Sequence, residues 1–438
     1  MKDIVVEVVD SIMGSSKTTE CFNWINKNPT DKYIYVSPML SEVDSGGRIH
    51  KSVLGVEFVS PNLDDENKSY KTKTEHLTYL LENGFNISCT HKLYLNMDDE
   101  HFKLIEKHNY TIILDEEIEV IRTYGTYSKS DIDYLLEKKD ITISETDGSI
   151  SWIGVSDSVN SYDHKYHKLK TLCEKQSVYL NRGLSAKKNV LISHIPLKLL
   201  YCAKSIIVIT YMFDGSVLDC FLRLKGIKTT KCLDITPKSD LKPSTFRDLI
   251  TLVTPTKKTV DLKMSKTWWD SLTQKDTTSV NSIANLIMNT AKQHGIQPKD
   301  LMWTCPKDNA YGVSECKKAV KLNPKGCVKY VDSNEETKYC WLSVHTRATN
   351  DYAHKKMVAH CYNRYPLQPI KVYLQACGVP IDEERYAVSS LLQFVWRSRI
   401  RNGEPIVLLI PNHRMCTLYL RWLNDEFEGE KNEEINKY

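Results

Sequence analysis

The stretch that decides the fold lies near the amino terminus and runs, from Ile4 to Phe22, IVVEVVDSIMGSSKTTECF. Its Val/Ile run predicts a β-strand, and the small polar residues around a single glycine predict a tight turn. Lys-Thr-Thr then opens a helix that carries Phe22, Trp24 and Ile25. A strand, a small-residue loop and a helix N-terminus together form a setting in which backbone N–H groups bind phosphates.

The loop approximates the phosphate-binding pattern G-x-x-x-x-G-K-[ST], with Ser16 in place of the second glycine. In that pattern Lys17 reaches the β- and γ-phosphates and the Thr18 hydroxyl faces Mg²⁺. The alternative is an ordinary helix start, capped by Ser15 or Ser16, with Lys17 in water. The predicted nucleotide-binding residues are Gly14, Ser15, Ser16, Lys17, Thr18 and Thr19.

Length and composition are those of a globular protein of two or three domains. The chain has 438 residues, of which 41% are hydrophobic and 26% charged. The net charge of +4 neither demands nor opposes a nucleic-acid partner, because a local basic groove matters more than the total. Thirteen cysteines without a C-x-x-C pair favour reduced thiols over a zinc site.

Nothing in the sequence predicts a membrane protein. The start lacks the apolar core of a signal peptide. The most apolar region, residues 190–212, is interrupted by His194, Lys198 and Lys204, which a spanning helix would have to bury. We therefore expect a soluble cytoplasmic protein with no membrane partner.

Strands that alternate with helices predict a parallel sheet, with ligands bound beyond the carboxyl ends of its strands. The apolar run 110–114 ends in Asp115 and Glu116, which we expect in one crevice with the Lys17 loop. Asp115 would hold Mg²⁺, and Glu116 would orient and deprotonate the attacking water. The alternative is a solvated strand end or the cap of the next helix.

Between Arg122 and Leu200 this alternation breaks. Residues 141–144 and 149–152, separated by a turn with Asp-Gly, predict a β-hairpin within an insertion. The insertion mixes lysines and histidines with aromatic residues, which suits stacking on single-stranded bases or, more simply, a small satellite core. The aromatic residues concerned are Trp152, Tyr162 and Tyr166.

The second half repeats the α/β pattern. Residues 300–304, 339–345 and 405–410 are predicted strands, and residues 384–401 a helix with a basic end. Its arginines either neutralise the helix dipole or point at a γ-phosphate. On one helix, Arg397 and Arg401 at i and i+4 share a face and Arg399 points elsewhere. The predicted organisation is a first domain of residues 1–121 and 201–238, an insertion of residues 122–200, and a second domain of residues 239–438.

Taken in order, these motifs resemble those of superfamily-two DNA helicases and helicase-like ATPases, especially those of phages and large DNA viruses. Residues 10–19 resemble the phosphate loop of viral origin-binding helicases, and residues 115–118 resemble the Asp-Glu box. Residues 393–401 resemble the Gln-x-x-Gly-Arg-x-x-Arg motif, with Trp396 in place of the glycine and Ile400 in place of the second arginine.

The resemblance implies an α/β fold of two RecA-like parallel-sheet domains in tandem, with an inserted subdomain in the first, and with ATP and Mg²⁺ bound between the domains. It implies catalytic roles for Glu116, for Arg397 and for Arg401 or Arg399. Thr210-Tyr211-Met212 falls where a motif couples hydrolysis to DNA. The implied nucleic-acid contacts are Ser37, Thr90, His91, Lys92, Arg347 and Thr349.

The expected function is that of an ATP-dependent DNA helicase or translocase in viral or phage replication or repair. It would act on single-stranded or forked DNA in the cytoplasm, of the host if the protein is viral, with replication proteins as further partners. The first alternative is an ATP-switched nucleic-acid-binding protein of origin-binding or packaging type that unwinds nothing. The second is a non-catalytic structural protein in which the lysine loop and the carboxylates coincide by chance.

Overall fold

A computed structural model describes most of the chain, and its described residues form two compact units. The described residues are 4–65, 68–124, 127–154, 164–175, 177–181, 191–238, 241–346 and 351–427. Unit 1 comprises the described parts of residues 1–11, 16–238 and 366–382, and unit 2 those of residues 12–15, 239–365 and 383–438.

Unit 1 alternates strands with helices along most of its length. Its strands are β1 (Val5–Asp10), β2 (Lys32–Ser37), β3 (Phe58–Val59), β4 (Asp64–Asp65), β5 (Lys68–Ser69), β6 (Asn86–Thr90), β7 (Tyr110–Asp115), β8 (Ile121–Tyr124), β9 (Ile141–Ile143), β10 (Ser149–Trp152), β11 (Ser177–Leu180), β12 (Leu191–His194), β13 (Ser205–Thr210) and β14 (Lys228–Lys231). Its first ten helices are α1 (Lys17–Lys27), α2 (Leu40–Val43), α3 (Arg48–Ser52), α4 (Lys73–Glu82), α5 (His91–Tyr94), α6 (Asp99–Lys107), α7 (Lys129–Glu137), α8 (His164–Lys175), α9 (Lys198–Tyr201) and α10 (Val217–Leu224).

Seven of these strands form one wholly parallel sheet in the order β14-β1-β13-β7-β2-β6-β3. Strand residues alternate between the two faces. On one face Tyr33, Tyr35 and Ile113 pack with Phe22 and Ile25 of α1 in a core cluster. The apolar positions of the opening stretch thus fix both the first strand and the helix that covers it.

The insertion is a five-stranded antiparallel sheet in the order β8-β12-β11-β10-β9. It lies in sequence between β7 and β13, which pair directly with each other. The predicted hairpin is confirmed as β9 and β10. Trp152 and Tyr166 pack against a small apolar core with Ile150 and Leu169, as the satellite-core interpretation predicted. Tyr162 lies outside the described residues.

Unit 2 is built on a four-stranded parallel sheet. The strands of this half are β15 (Ile250–Val253), β16 (Leu301–Thr304), β17 (Lys329–Val331), β18 (Thr337–Tyr339), β19 (Met357–His360) and β20 (Ile406–Leu409). The helices are α11 (Lys266–Ser271), α12 (Thr277–Gln293), α13 (Gln368–Ala376), α14 (Glu383–Val395) and α15 (His413–Leu423), with 3-10 helices at Pro243–Leu249, Gln274–Asp276, Pro298–Asp300, Lys307–Asn309 and Arg399–Asn402. The sheet order is β15-β20-β19-β16, and β17 and β18 form a separate antiparallel hairpin.

The predicted fold class is confirmed: the chain is α/β, with two parallel-sheet domains in tandem and an inserted subdomain in the first. Some details differ from the sequence predictions. Residues 339–345 are not a strand beyond Tyr339, and the strands β15 and β19 were not predicted. Residues 366–382 lie in unit 1, where Tyr373 of α13 packs against the rings of Tyr179 and His194 of the insertion.

Among the described residues, no helix is both long enough and apolar enough to cross a membrane.

Candidate functional site

The carboxyl ends of five neighbouring strands in unit 1 meet at one edge of the large sheet. The register pairs Asp10 of β1 with Thr210 of β13, and Asp115 of β7 with the residue before Thr210. It likewise pairs Ser37 of β2 with Thr90 of β6. Adjacent strands are about 4.8 Å apart, so two strands with one between them are separated by about 10 Å. Asp10 and Asp115 therefore face the same edge across a single intervening strand.

The loop from β1 to α1 has the backbone of an anion-binding turn. Gly14 has a φ of 85° and Ser16 a φ of 63°. A left-handed residue followed by the first helical residue turns successive N–H groups to one side, which creates an anion-binding concavity. Ser16 occupies the N-cap position of α1, but its side chain makes no capping hydrogen bond. The Ser15 hydroxyl is fully buried and has no partner among the described residues.

Lys17 is the first residue of α1, and the charges of three carboxylates affect its pKa. Its Nζ donates a hydrogen bond of 3.0 Å to the carbonyl of Ser11. Removal of the ammonium group from water lowers the pKa of Lys17, and the charges of Asp115, Glu116 and Asp10 oppose that shift. The structure therefore brings together the predicted phosphate-binding lysine and the predicted carboxylates within unit 1. The alternative, a solvated lysine, does not describe this geometry.

Asp115 is held by a residue that the sequence analysis did not identify. The Tyr35 hydroxyl donates a hydrogen bond of 2.7 Å to its Oδ2. Burial raises the pKa of Asp115, while the Tyr35 hydrogen bond and the charges of Lys17 and Arg48 act in the opposite direction. Arg48 in turn donates a hydrogen bond of 3.0 Å to the Thr19 hydroxyl. A carboxylate fixed in this way is the kind of oxygen ligand that a hard cation such as Mg²⁺ prefers.

The two residues after Asp115 have different environments. Glu116 has a φ of 65°, and its backbone N–H donates to the carbonyl of Ile209 at 2.9 Å, which extends the pairing of β7 with β13. Burial raises the pKa of Glu117 to about 8; a hydrogen bond with Ser216 lowers that pKa, and nearby carboxylates raise it. Glu117 is therefore largely protonated near neutral pH, and it was not among the predicted site residues.

Asp10, the last residue of β1, holds a neighbouring loop through its side chain. Its Oδ1 accepts a hydrogen bond of 2.8 Å from the N–H of Met212, and its Oδ2 accepts one of 3.4 Å from that of Phe213. Met212 has a φ of 61°, unusual for a side chain without local hydrogen-bonding groups. Asp10 therefore fastens the loop after β13, where the coupling motif was predicted, to the end of β1.

The predicted nucleic-acid contacts in unit 1 differ in accessibility. Ser37 is fully buried, and His91 is 8% exposed, with its Nε2 3.0 Å from the carbonyl oxygen of Asp115. Thr90 caps α5 by accepting a hydrogen bond from the N–H of Leu93. Lys92 is exposed. Arg347 and Thr349 lie outside the described residues.

The prediction that the three arginines of unit 2 lie on one helix is wrong. Helix α14 ends at Val395, whose carbonyl accepts a hydrogen bond of 3.0 Å from the backbone N–H of Ser398, and the backbone of Ser398 is extended. Arg397 follows the helix end, and Arg399 and Arg401 lie in a 3-10 helix. The argument that Arg397 and Arg401 share a helix face therefore fails.

The arginines differ in what they contact. Arg397 is 5% exposed and donates hydrogen bonds to the carbonyl of Val344 at 3.4 and 3.5 Å. Arg399 donates through Nε to the carbonyl of Pro405 at 2.5 Å and pairs with Glu404 at 3.9 Å. Arg401 is exposed.

The sequence gives some indication of the role of Tyr35 but none of the role of Arg48. The alternation of KYIYVS places Tyr33 and Tyr35 on one face of β2, so a tyrosine near the strand end could have been expected to reach a neighbouring carboxylate. Arg48 follows an irregular Gly-Gly segment, and no periodicity indicates where its side chain lies.

Comparisons with known proteins give similarity without an assigned activity. Residues 244–423 match the family model described as the YonV C-terminal Rossmann-like domain, which covers less than half of the chain. The SPbeta prophage-derived uncharacterized protein YonV of Bacillus subtilis (strain 168) is 27% identical over 439 residues, covering 96% of this chain and 99% of that protein. A solved structure titled XPD_Helicase has a TM-score of 0.46 and 13% identity, and the overlap covers 96% of this chain and 94% of that one.

Proposed function

We propose that this protein is a nucleic-acid-dependent ATPase that works as a DNA helicase or translocase in phage or viral DNA replication or repair. The observation that carries the proposal is the meeting of Lys17 with Asp115 and Glu116 at the carboxyl edge of a parallel sheet, after a loop with anion-binding backbone. The prophage origin in the name of the 27% identical relative supports the phage context.

Each residue has a proposed role. The loop N–H groups and Lys17 bind the β- and γ-phosphates, and the hydroxyl of Thr18 and the carboxylate of Asp115 hold Mg²⁺. The metal, when bound, neutralises charge that develops on the phosphate oxygens. Glu116 orients the attacking water and accepts its proton. Arg397, with Arg401 or Arg399, supplies positive charge to the transferred phosphoryl group.

Nucleic acid is proposed as the partner that hydrolysis moves or releases. Lys92 is the accessible cation among the described residues predicted to contact the strand. Thr90, the last residue of β6, and His91 directly precede Lys92, and His91 contacts the carbonyl oxygen of Asp115. Binding that depends on phosphate contacts weakens steeply as salt rises.

A second candidate, an ATP-switched binding protein without unwinding activity, is favoured by one specific feature. Ser16 holds a left-handed backbone that costs an L-residue about 1–2 kcal/mol. Its side chain also occupies space that a glycine would leave open to phosphate. If the loop backbone cannot approach the phosphates closely, hydrolysis would be slow.

The experiment that tests the proposal measures ATP hydrolysis with and without single-stranded DNA. We expect DNA to stimulate hydrolysis, and Lys17→Ala and Glu116→Gln each to lower the rate by about 100-fold or more. Lys27→Ala, which changes an exposed lysine at the other end of α1, is the matched control and should hydrolyse ATP like the wild type.

Two outcomes decide between the candidates. Displacement of a labelled strand from a forked duplex, abolished by Lys17→Ala, supports the helicase. Hydrolysis with no displacement supports the ATP-switched binding protein. A wild-type protein that neither binds nor hydrolyses ATP contradicts both and leaves a non-catalytic structural role.

A further inference from the structure

Unit 2 contains a pocket beside the β17–β18 hairpin that includes none of the predicted site residues. Its volume is about 1020 Å³. We call it the hairpin pocket and define it by six of its lining residues: Lys299, Tyr330, Lys338, Tyr339, Trp341 and Tyr352. Four aromatic rings and two lysines therefore surround one cavity.

Two of the rings are fixed by contacts outside the pocket. The indole N–H of Trp341 donates a hydrogen bond of 3.0 Å to the carbonyl of Cys305, and the main chain of Trp341 forms a bridge with Trp303. The Tyr330 hydroxyl accepts a hydrogen bond of 3.2 Å from Lys355 Nζ, which lies 4.3 Å from the centre of the same ring. Lys355 is only 1% exposed, so this support is rigid. Rings held in place before a ligand arrives lose little entropy on binding.

The charges of the hairpin pocket are balanced. Lys338 pairs with Glu336 and, at 3.7 Å, with Asp332. Asp332 and Asp351 both line the pocket, whereas Lys299 is exposed. Tyr339 is 42% exposed. A pocket with many rings and little net charge suits the flat face of a base more than a free phosphate. Its lysines can contact the backbone on either side of that base.

We propose that the hairpin pocket binds unstacked bases of a single-stranded nucleic acid, with Lys299 and Lys338 at the flanking phosphates. Aromatic side chains gain about 1–3 kcal/mol per stacked base, largely independent of sequence. The volume lies at the upper end of the range of about 300–1,000 Å³ that holds a drug-sized ligand, so more than one nucleotide fits. This inference rests on the proposed function, since it names where unit 2 holds the strand.

The test measures binding of a fluorescently labelled dT oligomer by anisotropy without ATP, so that it does not depend on hydrolysis. Tyr339→Ala should weaken binding by between about five-fold and about 150-fold, the range that corresponds to one stacked base. Tyr339→Phe keeps the ring and should bind like the wild type. Tyr311→Ala is the matched control, because Tyr311 is a 47% exposed tyrosine of unit 2 that does not line the pocket.

Two further measurements locate the base and the backbone. A dT oligomer that carries 5-bromodeoxyuridine should cross-link on irradiation to Trp341 or Tyr339, as mapped by mass spectrometry. Lys299→Gln should reduce the slope of log affinity against log salt by about one. An rU oligomer run beside dT shows whether the strand that the pocket accepts is DNA, RNA or either.

Unchanged binding in Tyr339→Ala, or cross-links only outside the hairpin pocket, overturns this proposal. The ATPase assay is separate, so a wild type that hydrolyses ATP with DNA stimulation while Tyr339→Ala binds normally refutes the pocket and leaves the proposed function standing. Conversely, loss of dT binding in Tyr339→Ala together with a wild type that hydrolyses no ATP supports the pocket and refutes the ATPase.

Discussion

Asp10 Oδ1 accepts a hydrogen bond of 2.8 Å from the backbone N–H of Met212, two residues beyond the end of the neighbouring strand. The two residues are 202 positions apart, and the bond joins the first strand of the chain to the loop after β13. A carboxylate at the end of the first strand therefore fixes a neighbouring loop.

Asp10→Ala should destabilise unit 1 by about 1–3 kcal/mol, because two backbone N–H groups lose a charged acceptor. Asp10→Asn keeps one accepting oxygen and should lose less. Thermal and denaturant unfolding of the purified protein measure both effects. Glu106→Ala, at an exposed position on α6, is the control and should change stability by less than about 0.5 kcal/mol. Equal stability of Asp10→Ala and the wild type would contradict this role.

Tyr35→Phe should weaken Mg²⁺ binding at Asp115. The lost hydroxyl leaves the pKa of Asp115 higher and the carboxylate less firmly oriented. Under the proposed function, the Mg²⁺ concentration for half-maximal ATP hydrolysis should rise by about three- to ten-fold. The matched control is Tyr33→Phe on the same strand, whose hydroxyl bonds instead to the carbonyl of Asn28. If both variants need the same Mg²⁺ as the wild type, Tyr35 does not support the metal ligand.

Ser16→Gly should stabilise the protein by about 1 kcal/mol, because glycine adopts a φ of 63° without the strain that a Cβ brings. It should also bind ATP more tightly, since the backbone can approach the phosphates more closely. Isothermal titration and thermal unfolding measure the two effects. Ser41→Gly, in the short helix α2, should instead destabilise the protein, because glycine is unfavourable at helical positions. Destabilisation by Ser16→Gly would show that the serine is not strained.

Local periodicity and the parallel arrangement of strands made part of the fold predictable from the sequence. The Val/Ile run of β1, the apolar run of β7 and the insertion hairpin all fold as expected. The common edge of Lys17 and Asp115 could be predicted because parallel strands end on the same side.

The features that the sequence could not predict depend on contacts between distant segments. The contact of Asp10 with Met212 and the support of Asp115 by Tyr35 join residues 202 and 80 positions apart. The helix that ends at Val395 was predicted to continue to residue 401, but the extended backbone of Ser398 separates it from the 3-10 helix that follows. Residues 366–382 belong to unit 1 because of the packing of Tyr373 rather than their place in the chain.

The buried Lys355 leads to a prediction of how the stability of the protein depends on pH. Its side chain is 1% exposed, and burial lowers its pKa from 10.5 to about 8, against the opposing charge of Asp300. Between about pH 8 and pH 10.5 the unfolded chain binds more protons at this lysine than the folded chain does, so stability from this group rises with pH. From about pH 7.5 to about pH 9.5 the gain should be about 2 kcal/mol.

The measurement is the difference in unfolding free energy between the wild type and Lys355→Met at each pH, which cancels the titration of the other groups. The unfolding free energy of the wild type should increase relative to that of Lys355→Met as pH rises. The variant lacks the hydrogen bonds from Lys355 Nζ to Lys299 and Tyr330 at every pH. Lys292→Met, at an exposed position of α12, should behave like the wild type throughout. A constant difference between the wild type and Lys355→Met would mean that Lys355 keeps an ordinary pKa, and that the support beneath the Tyr330 ring is charged over the whole range.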